Sequence, residues 1–178
     1  MRRSAELHGM ERSLLFAQLE RHGSVFKALL QDLSPAEITW KPAPEKWCPL
    51  EVICHLHDEE REDFRRRLDM ILNHPGEEWP PINPRGWVVE RGYNQRNLAE
   101  MLDGFDEERR ISLMWLETLD EPDWEAGETF EWGTMKAGDM LASWAAHDKL
   151  HLRQLVELRY GRVKCLADPY GVQYAGDW

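Results

Sequence analysis

The sequence has little with which to staple itself. Its three cysteines, Cys48, Cys54 and Cys165, are odd in number and include no C-x2-C pair, which argues against a disulfide framework and for a reducing, cytoplasmic setting. No apolar run approaches the roughly 20 residues that a membrane span requires. The opening segment, Met1-Arg-Arg-Ser-Ala-Glu-Leu-His8, has no apolar h-region, so a secretory signal is not expected. Positive charge is scarce: 22 Lys and Arg stand against 33 Asp and Glu, for a net charge of -11. Nucleic-acid binding draws its affinity from neutralised phosphates, so neither nucleic acid nor a membrane is an expected partner. The one basic cluster, Arg65-Arg66-Arg67, follows Asp58, Glu59, Glu60, Glu62 and Asp63. It reads as the basic end of a dipole-complemented helix with a solvated face. No internal repeat or low-complexity segment is visible.

What remains is a chain of 178 residues, 31% charged, with a mean hydropathy of -0.63. That is long enough for one domain with a core of its own. Nine tryptophans supply packing mass.

Periodicity predicts four helices, at about 7–33, 49–73, 95–119 and 135–160, followed by an irregular tail over 162–178 whose aromatics fold back. In the first helix, Leu15, Leu19, His22, Phe26 and Leu33 follow the 3.6-residue period; His22 reads as a core or boundary histidine. Pro35, Pro42, Pro44 and Pro49 make the next stretch a rigid connector. Pro49 is a natural first helical residue behind Cys48 as N-cap, with Glu51 at the reciprocal capping position. A thiol at a helix N-terminus can become acidic, so Cys48 is either structural or partly ionised. Residues 77–93, rich in Pro, Gly and Trp, are too long for a tight hairpin and should cross the bundle. Residues 123–133 form a loop with one short extended pair. Thr134 should cap the fourth helix and Gly161 should close it. The fold class is all-α, a four-helix bundle with long crossing connections.

On the fourth helix, Met140, Trp144, His147, His151, Leu155 and Leu158 share one face. Two imidazoles four residues apart can present two nitrogens to a single metal ion. That spacing also arises by chance, so a third ligand is needed. The second helix offers His55 and His57. His57 lies in the middle of the apolar arc and His55 at its edge, one turn before Glu59. The wheel does not settle between them, and it leans to His57 as the more buried.

The segments Leu33-Ser-Pro-Ala-Glu37, Trp40-Lys-Pro42, Glu45-Lys-Trp-Cys-Pro-Leu-Glu-Val-Ile-Cys-His-Leu-His-Asp-Glu-Glu60, Phe105-Asp-Glu-Glu-Arg109, Trp132-Gly-Thr-Met135 and His147-Asp-Lys-Leu-His-Leu-Arg-Gln-Leu155 together resemble the DinB-like family, described with the YfiT-like metalloenzymes. The resemblance covers most of the chain in the family's order. It implies a four-helix bundle binding a divalent metal through one histidine of the second helix and two of the fourth, here His55, His147 and His151. Cys48 stands where the family commonly has Ser or Thr, and His57 is an added histidine two residues beyond the implied ligand.

Three neutral imidazoles leave coordination positions open, as in a catalytic metal site. Zn or Ni suits such a set, and Fe is also compatible. Glu59 is the candidate base or outer carboxylate, against the alternative of a solvated surface glutamate. Asp148 either orients a ligand ring or makes a surface ion pair. The function the resemblance implies is a metal-dependent enzyme, foremost an S-transferase joining a low-molecular-weight thiol to small electrophiles. The alternatives are a hydrolase and a non-catalytic, metal-stabilised bundle. The expected partners are a small-molecule substrate and, as a homodimer, a second copy of the chain.

Overall fold

The computed structural model describes residues 2–177, with side chains from residue 12 onward; Leu7 and His8 therefore lie outside the described side chains, and Trp178 outside the described residues. Four long helices form the bundle: α1 (Arg2–Leu30), a second helix running as α3 (Pro49–Glu59), a π turn (Glu60–Phe64) and α4 (Arg65–Asn73), then α6 (Leu98–Thr118) and α7 (Ala137–Ala167). Short helices α2 (Pro35–Ile38) and α5 (Pro84–Glu90) interrupt the connections, and a hairpin of β1 (Gly127–Phe130) and β2 (Gly133–Lys136) precedes α7. No helix among the described residues is long and apolar enough to cross a membrane.

The helix starts follow their capping chemistry. The Cys48 N–H donates to Glu51 Oε2 at 2.8 Å, with Pro49 at the first helical position. Asn83 and Asn97 accept from the N–H groups of Gly86 and Glu100 at the heads of α5 and α6. Thr134 lies in β2 rather than at a cap; Lys136 is the N-cap of α7, and its N–H donates to Asp139. Gly161 does not end α7. A Cβ there would come within 3.1 Å of the Trp40 ring, so this glycine serves close packing inside a helix that continues to Ala167. Nor do the described tail aromatics fold back: Tyr170 and Tyr174 are exposed.

The core falls into two apolar halves. One gathers Phe26, Leu30, Ile53, Leu56, Phe105 and Leu155. The other gathers Leu19, Phe64, Leu68, Leu116, Met140 and Trp144. Each long helix passes from one half to the other, so α1 and α7 run in one direction and α3 and α6 in the other. α1 packs on α7 and α6, and α3 packs on α6 and α7. Two neighbouring pairs are therefore parallel, and parallel neighbours require long connections.

Between the halves lies a buried polar belt to which every long helix contributes. Arg109 on α6 donates to both Glu60 oxygens at 2.8 and 2.9 Å, to both Asp148 oxygens at 2.7 and 3.0 Å, and to the Leu19 carbonyl at 2.7 Å. All five guanidinium N–H groups are thereby used. Trp144 Nε1 adds a bond to Glu60 at 2.9 Å, and His22 Nδ1 lies 2.9 Å from Asp148. Asp148, only 1% exposed, is thus a buried brace and not a surface ion pair. Burial alone would raise its carboxyl; the His22 bond and the Arg109 guanidinium outweigh that and hold it below the usual range. His22 is a core histidine, as its place on the stripe predicts.

Removing one member of such a set strands buried charge. Arg109→Met should lower the unfolding free energy by about 3–5 kcal/mol, measured by urea denaturation, while the far-ultraviolet spectrum stays helical.

Candidate metal centre

The centre lies one turn from the polar belt, in the seam between α3 and α7. The Nε2 atoms of His55 and His147 are 3.2 Å apart, and those of His147 and His151 are 3.1 Å apart. This trio is the one group of potential metal ligands that comes together among the described residues. His55 is 5% exposed, while His147 and His151 are half-buried, so the seam has a closed floor and a partly open mouth.

The choice between His55 and His57 follows from what flanks α3. Apart from His57, every residue from Pro49 to Glu59 is buried, so the helix has no single apolar face for a wheel to detect. Residues 55 and 57 point to different neighbours. His55 faces α7. His57 faces α6, where Gly104 leaves room for its ring (a Cβ there would approach within 3.2 Å), and it lies 3.1 Å from Asp58. The expectation that His57 is the more buried is overturned.

Aromatic rings wall the trio. Trp47 stacks nearly parallel to His151 at 6.4 Å and tilts over His55 at 4.8 Å, while Phe64 lies 4.9 Å from His147. Burial first, and the other imidazoles second, push His55 down to about 2 and His147 to about 3; burial also lowers His151. All three rings are therefore neutral near pH 7. The His55–Glu59 contact, Nδ1 to Oε1 at 3.7 Å, is accordingly not an ion pair.

These donors fit a cation. Gln154 Oε1 lies 2.8 Å from His151 Nδ1 and can only accept, so that nitrogen carries the proton and Nε2 is a bare lone pair. A proton on His147 Nε2 can be donated squarely to one neighbour only. Three facing nitrogens therefore leave at least one like-with-like contact, which a positive ion would relieve.

Glu59 is 4% exposed, so the alternative of a solvated surface glutamate is corrected. The physical reason is compensation. Asp58 accepts from Tyr93 at 2.6 Å and pairs with Arg91 at 2.8 Å, Glu60 has Arg109, and Asp63 lies 2.8 Å from Arg67. Glu59 is the exception. Burial and the adjoining Asp63 carboxyl push it well above the usual carboxylate range, and its Oε1 has no hydrogen-bond partner.

Cys48 is not an ionised thiol. It is buried, and desolvation raises it. Its Sγ donates to Asn94 at 3.4 Å. A cleft of about 430 Å³, bordered by Lys41, Trp47, Arg85 and Asn94, adjoins the centre across the Trp47 ring. Another of about 360 Å³, between α1 and α6, is lined by Ser13, Phe16, Arg110 and Met114 and includes no member of the trio.

Sequence reasoning missed Arg109, Glu60, Gln154, Trp47 and Phe64 as parts of this region. The signals were present: Arg109 and Glu60 occupy stripe positions between Phe105 and Ser112 and between Leu56 and Phe64, and Gln154 follows His151 by about one turn.

The depressed imidazoles make the metal-free fold acid-sensitive. The folded chain keeps His55 and His147 neutral, whereas unfolded histidine titrates near 6.5, so below that pH the unfolded state binds more protons. The stability margin is complete above about pH 6.5 and is lost as the pH falls toward about 3 for His147 and about 2 for His55. Urea unfolding of chelator-treated protein should show wild type losing stability relative to the His55→Asn/His147→Asn double variant below pH 6.5. Above that pH the difference should be constant.

Comparison with known proteins agrees with this architecture. No curated protein matches the chain. Among solved structures, YfiT from Bacillus subtilis, described as a probable metal-dependent hydrolase with an unusual four-helix bundle topology, superposes with a TM-score of 0.74. The match has 15% sequence identity over 83% of this chain and 85% of that one. Residues 18–155 match the family model of the DinB superfamily, and that span carries the second helix, the polar belt and all three clustered histidines. The chain belongs to the DinB superfamily.

Proposed function

We propose that this protein is a metal-dependent enzyme acting on small molecules, with one divalent ion held by His55, His147 and His151. The observation that carries the proposal is the meeting of three neutral Nε2 atoms at a partly exposed mouth. The family and the likeness to YfiT support it. Bound there, a divalent ion supplies Lewis acidity to whatever reaches its open side. The chain's own residues keep the three rings neutral by burial, wall the seam with Trp47 and Phe64, and anchor His147 beside the braced Asp148. Zn and Ni suit three imidazoles, and Fe is compatible.

Hydrolysis is the reaction class that the comparison with YfiT supports. Transfer of a low-molecular-weight thiol to a small electrophile is the second reading. It is favoured by the neutrality of the donor set, which leaves the ion its full charge for an anionic sulfur ligand.

Titration with Co(II) tests both levels. The wild type and His57→Ala should give visible absorption saturating at one ion per chain, while His55→Ala, His147→Ala and His151→Ala should not, each remaining helical. Stoichiometric binding by any of these three variants would contradict the ligand set. Millimolar cellular thiols added to the loaded protein should produce a sulfur charge-transfer band if thiol transfer is the reaction; without that band the thiol reading falls, leaving hydrolysis or a non-catalytic, metal-stabilised bundle.

A further inference from the structure

The trio's geometry depends on which nitrogen of each ring carries the proton, and two side chains outside the trio face those nitrogens. On α7, Gln154 Oε1 lies 2.8 Å from His151 Nδ1. On α3, Glu59 Oε1 faces His55 Nδ1 across 3.7 Å, just beyond hydrogen-bond distance, and neither buried atom has a hydrogen-bond partner. Gln154 follows His151 by three residues and Glu59 follows His55 by four, so each partner lies about one helical turn beyond its histidine. Glu59 is itself held in place. Its carboxyl adjoins that of Asp63, Asp63 contacts Arg67 at 2.8 Å, and the Arg67 guanidinium lies over the Trp79 ring at 4.9 Å. The π turn begins directly after Glu59, which sets this chain of contacts behind His55 while Glu60 turns to the polar belt.

We propose that Glu59 and Gln154 are positioning residues that hold His55 and His151 as Nδ1–H tautomers, so that both Nε2 lone pairs face one point before an ion arrives. The inference rests on the three-histidine reading and assigns Glu59 a role other than that of a base. Its Oε1 is on the Nδ1 side of the ring, away from the Nε2 atoms where an ion would lie, and the residue is closed to solvent. An acceptor behind each ring also explains why residue types as different as Glu and Gln serve one purpose. Both offer a carbonyl-type oxygen at the end of a chain of the same length.

Long-range proton–nitrogen NMR on metal-free protein reads the tautomer of each ring directly, and chelator competition reads Zn(II) affinity. The wild type should show His55 and His151 protonated at Nδ1. Glu59→Leu should lose that preference at His55 alone, and Gln154→Leu at His151 alone, each with roughly 10- to 100-fold weaker Zn(II) binding. Glu59→Gln keeps an acceptor oxygen and should keep both the tautomer and an affinity near that of wild type. A residue of purely structural importance would change the melting temperature while leaving tautomers and affinity unmoved, and that result would overturn the inference. So would Nε2–H at His55 in the wild type, a readout that needs no variant to fold. The tautomers decide this inference, whereas a wild type that binds no Zn(II) would instead refute the metal reading.

Discussion

One guanidinium ties the bundle together. Arg109 reaches α1 through the Leu19 carbonyl, the second helix through Glu60 and α7 through Asp148, and it does so with every donor it has. A buried ion pair is weak evidence of stability in itself, because desolvation offsets much of the attraction. Its effect here is on register. Apolar side chains tolerate sliding by a turn, whereas a five-bond fork between two carboxylates and a carbonyl is satisfied at one axial position. The two apolar halves of the core are thereby fixed on either side of one polar level.

That level also sets the candidate metal centre. His147 precedes Asp148, and Glu59 precedes Glu60, so the residues that lock the belt are adjacent in sequence to residues that face the seam. With Asp148 pinned by Arg109 and His22, rotation of α7 is restricted and the His147–His151 face is held toward α3. The π turn does the corresponding work in the second helix. It widens one turn so that Asp58, Glu59, Glu60 and Asp63 can all be buried yet face different partners.

Much of this was legible in the sequence, and the failures have definite causes. The second helix spans Pro49–Asn73, as its proline start and His-Pro-Gly stop predict, because both signals are local backbone chemistry. Gly161 misled because a helix-ending glycine and a glycine packed under Trp40 look alike until the partner is known. The wheel favoured His57 because it assumes one buried face, and α3 has almost no exposed one. Arg109 and Glu60 stood on inward stripes, but a lone charge on a stripe shows its partner only in three dimensions. The pairing of His147 with His151 was plain from spacing; their meeting with His55 depends on the antiparallel seam of α3 and α7, which no local pattern encodes.

The account turns on whether the three imidazoles that meet in this seam act together as ligands. X-ray absorption on Zn-loaded wild-type protein tests that most directly, because imidazole rings produce characteristic outer-shell scattering. The account predicts one zinc per chain with three imidazole nitrogens at about 2.0–2.1 Å and at least one exchangeable oxygen ligand. A spectrum of oxygen ligands alone, or of sulfur from the cysteines, would contradict it.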